Sequence, residues 1–83
     1  MEIKIAFSGI GGVGGYYGGR LAHFYRQSEN IKIYFISRGE NLEIISRKGL
    51  KIQTLHEEII VQPTLATHSP KDIGPVDYLF CTT

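Results

Sequence analysis

Gly9, Gly11 and Gly14 stand at the G-x-G-x-x-G spacing inside the run Ile5-Ala6-Phe7-Ser8-Gly9-Ile10-Gly11-Gly12-Val13-Gly14-Gly15. Each of the three positions has its own reason to lack a side chain. Gly9 lets the chain turn sharply off a strand, Gly11 lets backbone approach a pyrophosphate, and Gly14 lets the following helix lie close to a sheet. The helix start would aim unpaired N–H groups and the positive end of its dipole at the phosphates. The candidate pyrophosphate residues are therefore Gly9, Ile10, Gly11, Gly12, Val13 and Gly14. A glycine turn with no ligand is the competing reading; the strand before the motif and the amphipathic segment after it favour the dinucleotide.

A second chemical feature follows the next apolar run. Where an NAD-binding unit places an acidic residue for the ribose 2′-hydroxyl, this chain reads Ile36-Ser37-Arg38-Gly39. A guanidinium and a hydroxyl can grip a 2′-phosphate, Arg38 through charge-assisted bidentate hydrogen bonds. Ser37 and Arg38 thus point to NADP. The other reading leaves Arg38 as a solvated loop cation and turns Glu40 back onto the ribose.

The elements that must position these residues can be read in order. Ile3 to Ser8 begins as alternation and becomes continuously apolar, as a parallel strand buried on both faces does. From about Gly12 to Gln27 the pattern is helical, with Val13, Tyr17, Leu21 and Phe24 along one stripe and Gly14, Gly18 and Ala22 along a second, small-residue stripe. Interior glycines cost a helix roughly 1 kcal/mol each against alanine, so either the helix approaches a neighbour closely or it frays. Tyr16 and Tyr17 read as packing residues. The polar Ser28-Glu29-Asn30 breaks the helix, and Ile31 to Ile36 is a second strand, completing a βαβ unit whose strands end beside the glycine turn.

Glu40 to Gly49 reads as a short helix, acidic in its first turn, basic in its last, with Gly49 as a left-handed cap. Leu50 to Leu55 and Glu58 to Val61 read as a hairpin around His56-Glu57, with Pro63 ending it or marking an edge. Thr64 to Thr67 adds a short extended piece and Ser69 to Pro75 a loop. Val76 to Cys81 is an apolar strand that should rejoin the parallel sheet.

Composition narrows the classes of function. The 83 residues, 42% of them hydrophobic, suffice for one small domain but not for a nucleotide-binding domain and a substrate domain together. The chain stops where its last strand would meet the cofactor, so it is expected to be the front part of a longer α/β protein. A net charge of +1, mixed along the chain, offers no basic field for nucleic acid and no polybasic membrane patch. The apolar runs are far short of the ~20 residues that span a bilayer, and no leader pattern opens the chain. A cytoplasmic protein is expected. Cys81 is the single cysteine, which excludes an internal disulfide; it is expected to fill a strand as a small buried hydrophobe. His23, His56 and His68 have no metal-ligand spacing and read as surface or edge residues.

Taken together, Ile5 to Gly15 with Tyr16-Tyr17-Gly18, Ile36 to Leu42, Gly49-Leu50-Lys51-Ile52, and Ile73 to Asp77 running into Cys81-Thr82-Thr83 closely resemble the N-terminal end of ketopantoate reductases (2-dehydropantoate 2-reductases) over nearly the whole chain. The resemblance implies a truncated Rossmann-type NADP-binding α/β fold, residues 1–83 forming its N-terminal portion: a parallel sheet with flanking helices. It implies NADPH-dependent reduction of 2-dehydropantoate to (R)-pantoate, on the route to pantothenate and coenzyme A. It places Thr82 and Thr83 near the cofactor, and it assigns the catalytic lysine and glutamate to a later helical domain, so that no catalytic residue lies in this chain and the isolated fragment is expected to be inactive. The expected partner is a small keto-acid substrate, and a homodimer is compatible with this reading. Another keto-acid or opine-like reductase of the same superfamily, and a non-catalytic nucleotide-sensing module, are the alternatives.

Overall fold

The apolar run that begins at Ile3 becomes the centre of a four-stranded sheet in the computed structural model of the protein, which describes residues 2–9, 13–53 and 55–81, with residues 13–15 as helix backbone alone. The elements follow as β1 (Ile3–Ser8), α1 (Val13–Phe24), β2 (Ile31–Ile36), α2 (Gly39–Lys48), β3 (Leu50–Gln53), β4 (Glu58–Val61), β5 (Leu65–Thr67), a single 3-10 turn at Pro70–Asp72, and β6 (Tyr78–Cys81). The sheet order is β5-β2-β1-β6, parallel throughout, while β3 and β4 form a separate antiparallel hairpin. This is a Rossmann-type α/β arrangement.

Alternation along the strands divides the apolar residues between two faces. Phe7, Ile33 and Phe35 join Ala22 of α1, Ile45 of α2 and the hairpin residues Ile52, Ile59 and Val61 in the main core. Ala6 and Tyr34 point the other way and meet Ile73 of the segment linking β5 to β6. The chain thus travels outward from β1 to β2 across one face and returns to β6 across the other. Reversing the direction of travel and the face together keeps the same hand of connection, as parallel crossovers require.

Helix α1 meets the sheet through its small residues. Gly18 and Gly19 are buried, Ala22 is 4% exposed, and a Cβ built on Gly18 would come within 3.2 Å of both the Phe7 and Phe35 rings. One built on Gly19 would lie 2.9 Å from Ile52 Cγ1 of the hairpin. The bulky stripe is divided: Tyr17 and Phe24 are 59% and 74% exposed, while Leu21 packs against the main core. The expectation that Tyr16 and Tyr17 pack into the fold is corrected, because the glycines occupy the contact; the two tyrosine rings meet each other edge to face at 5.4 Å, and the Arg20 guanidinium lies 6.0 Å from the Tyr16 ring.

The remaining elements follow their sequence signals with local shifts. Helix α1 ends at Phe24, with residues 25–27 in a turn, and Ser28 Oγ accepts the N–H groups of Asn30 and Ile31 as the chain re-enters the sheet. Gly49 ends α2 with φ 84° and ψ 176°, a positive φ that is extended rather than left-handed helical. The extended piece near Thr64 becomes β5, the sheet's outer strand beside β2. Strand β6 is pinned at its start by Asp77, whose carboxylate accepts the Lys4 N–H at 2.8 Å and whose own N–H donates to the Lys4 carbonyl at 2.9 Å.

All four residues of β6 are exposed, Cys81 included. This corrects the expectation of a buried cysteine: β6 is an edge strand, and among the described residues no helix covers it. Phe80 is partly shielded by stacking on Phe7 at 5.1 Å.

Two outcomes are expected. Gly18→Val should lower unfolding free energy by roughly 2–3 kcal/mol in chemical denaturation, since the added methyls meet two buried rings. The 83-residue chain expressed alone should associate with rising concentration through its β6 edge, and Leu79→Lys should reduce this; sedimentation velocity showing one monomeric species at every concentration would contradict it.

Candidate dinucleotide site

Where the strands end decides where a ligand can sit. The parallel register sets Ser8 of β1 level with Ile36 of β2 and Cys81 of β6, and Ile36 level with Thr67 of β5. Four carboxyl ends therefore share one rim. The order of connection reverses between β1 and β6, since everything after β1 first goes to one side and β6 returns to the other. Open parallel sheets bind ligands outside the carboxyl ends at such a switch point.

The glycine motif begins on that rim. Gly9 follows β1 directly, takes φ 87°, and donates its N–H to the Ile36 carbonyl at 3.1 Å. That positive φ turns the chain off the strand, and α1 starts four residues later with Val13 and Gly14 in its first turn. Ile10, Gly11, Gly12, Thr82 and Thr83, named as candidates from the sequence, lie outside the described residues, as do the side chains at positions 13–15.

Ser37 and Arg38 occupy the neighbouring part of the rim. Ser37 donates its N–H to the Thr67 carbonyl at 2.9 Å, Arg38 is extended with φ −150° and ψ 166°, and Gly39 turns with φ 67° into α2. The Arg38 side chain is exposed and forms no ion pair among the described residues. A Cβ on Gly39 would find nothing within 4 Å. Open space and an uncommitted guanidinium beside the end of β2 fit a phosphorylated ribose. Glu40 lies in the first turn of α2, where its charge complements the helix dipole.

The rim continues onto the second face of the sheet as an apolar groove of about 370 Å³, lined by Ala6, Ser8, Ile36, Ile73, Leu79 and Cys81. A groove of about 750 Å³ runs instead along the outer side of α1 beside the hairpin, between Tyr17, Arg20, Phe24, Glu57 and Ile59. It follows the helix away from the strand ends that carry the glycine turn. Among the described residues no group of three or more His, Cys, Asp or Glu side chains could hold a metal, and no helix is long and apolar enough to cross a membrane.

The role of β5 in this site was not legible in the sequence. Thr67 supplies the carbonyl that holds Ser37, and its only advance signal was a threonine closing a short extended segment.

Comparison with known proteins agrees with the geometry. The family model described as "Ketopantoate reductase PanE/ApbA" matches residues 5–83. The solved structure of 2-dehydropantoate 2-reductase from Porphyromonas gingivalis W83 superposes with a TM-score of 0.92 at 41% identity, covering 100% of this chain and 30% of that one. A putative ketopantoate reductase from Ralstonia solanacearum MolK2 gives a TM-score of 0.82 at 28% identity, covering 98% of this chain and 23% of that one. The chain therefore spans less than a third of either structure. A search of curated proteins returns no match.

Proposed function

The chain belongs to the ketopantoate reductase family, a family of dinucleotide-dependent oxidoreductases, and on that premise we propose that it is the cofactor-binding segment of a cytoplasmic, NADPH-dependent 2-dehydropantoate 2-reductase. The whole enzyme reduces the keto group of 2-dehydropantoate to (R)-pantoate, feeding pantothenate and coenzyme A synthesis. The observation that carries this reading is the meeting, on one rim, of the Gly9 turn and the exposed Arg38.

When bound, NADPH supplies the hydride. The residues of this chain bind and orient. Gly9 to Gly14 hold the pyrophosphate on backbone N–H groups at the start of α1, where the helix dipole favours its charge. Ser37 and Arg38 hold the ribose 2′-phosphate, the guanidinium offering two parallel hydrogen bonds to its oxygens. Thr82 and Thr83, which the family resemblance places near the cofactor, lie outside the described residues and complete the proposed set. Held at both phosphate groups, the cofactor would be oriented for hydride transfer to the keto acid, which turns an encounter between free molecules into a reaction between positioned ones. Proton transfer and substrate orientation fall to the helical domain that the family resemblance implies, so this segment alone binds cofactor without turning over substrate.

Thermal melting of the longest available form of the protein with each cofactor tests the reading. NADPH at a hundredfold excess over its Kd should stabilise by ~2.7 kcal/mol, with NADH acting much more weakly. Arg38→Ala should erase the difference between the two. Equal stabilisation by NADH would remove the NADP assignment, and no stabilisation by either would reduce the glycine motif to a turn.

A further inference from the structure

Thr67 is the one polar side chain buried among the described residues, at 6% exposure. It closes β5 level with Ile36, facing the side of the sheet where Ile73 packs on Ala6 and Tyr34. Valine has the same shape and suits a strand beside an apolar cluster at least as well. A buried hydroxyl costs stability unless it is hydrogen-bonded, and this one is used twice. Its Oγ1 donates to Asp72 Oδ2 at 2.5 Å and accepts the Ser69 N–H at 3.1 Å. The turn so fastened is closed by Asp72 N–H to the Ser69 carbonyl and Ile73 N–H to the Pro70 carbonyl, each 3.1 Å.

The same residue reaches the cofactor rim through its backbone. The Thr67 carbonyl accepts the Ser37 N–H at 2.9 Å, and Arg38 is the single residue between that bond and the Gly39 turn. The backbone of Arg38 therefore hangs between two anchors. One is the start of α2; the other is Thr67, itself held from below by Asp72 and Ser69.

From this chain of contacts we infer that Thr67 is a positioning residue for cofactor choice: its hydroxyl, by locking the turn after β5, holds Ser37 and Arg38 where they meet a ribose 2′-phosphate. The inference deepens the proposed function and rests on its assignment of Arg38. Thr67 acts through Ser37 and Arg38 rather than by contact with the cofactor. Its effect falls on the phosphate that distinguishes NADPH from NADH, because the Gly9 turn, although its N–H bonds the carbonyl of the same Ile36–Ser37 peptide, is held in addition by the pairing of β1 with β2 and β6.

The test is the pair of dissociation constants for NADPH and NADH, titrated by nicotinamide fluorescence on the full-length protein carrying this segment. Thr67→Val removes the hydroxyl and keeps the shape. It should weaken NADPH roughly tenfold, the order of the net loss from the hydroxyl's two hydrogen bonds, and leave NADH within about twofold. Thr67→Ser should restore the wild-type ratio. Asp72→Ala, which removes the acceptor of the Thr67 hydroxyl from an exposed position, should shift the ratio in the same direction as Thr67→Val and serves in its place if that variant fails to fold. An unchanged ratio in Thr67→Val, or in Asp72→Ala where the first variant does not fold, overturns the inference, whether both affinities fall together or neither moves. A wild-type protein that binds NADH as tightly as NADPH is a different result: it overturns the NADP assignment beneath it.

Discussion

Helix α1 lies against the sheet by way of glycine. With no side chain at position 18, the Phe7 and Phe35 rings fill the space beside the helix backbone, and with none at position 19 the hairpin residue Ile52 does the same. Both phenylalanines are almost wholly buried as a result, at 2% and 0% exposure. The close approach has a chemical consequence, because it draws the start of α1 down to the carboxyl end of β1. A helix held off by larger residues would carry its N-terminal N–H groups away from the rim where the phosphates are proposed to bind. The glycines therefore cost helix propensity and return it as position.

The same rim depends on how neighbouring strands hold one another. Gly9 is tied to the end of β2, Ser37 to the end of β5, and β6 to the beginning of β1 through Asp77 and Lys4. Each link joins segments far apart in the chain. Loop positions on an α/β scaffold are useful for binding because such links fix them to a rigid sheet. The second face carries less: Ala6, Tyr34 and Ile73 form a small cluster, and the exposed side of β6 extends it as open apolar surface. Parallel sheets are normally covered on both faces, and the relatives in which this fold occurs are more than three times as long.

Much of this was readable in advance, and the reasons differ by element. Strand β2 was legible to the residue, since Ile31 to Ile36 is β-branched and aromatic between polar breaks. The C-terminal glycine of α2 and its charged ends were equally plain. The close approach of α1 through its interior glycines was legible too, but the exposure of its bulky residues was not, because amphipathic reasoning assigns the bulky stripe to the core. Tyr17 and Phe24 instead face outward, and the contact goes to residues with almost no hydropathy signal. Cys81 was misplaced for a related reason: an apolar strand reads as buried whether it lies at the centre of a sheet or at its edge. The short extended piece at Leu65 carried no mark of its role, since nothing local distinguishes a loop segment from a strand completed by pairing with β2.

Residue type and spacing alone specify the βαβ opening, the glycine motif with Arg38 placed after the second strand, and a family resemblance that the comparisons bear out. All of these are local, written in spacing and residue type within a few tens of positions. Long-range packing and strand pairing settle that Tyr17 and Phe24 of α1 stay exposed, that β6 returns beside β1 to create the switch point, and that Thr67 stands under Ser37. Those facts follow from packing and strand pairing between residues distant in the chain, where the deciding quantity is the fit of one surface against another and no single segment encodes it.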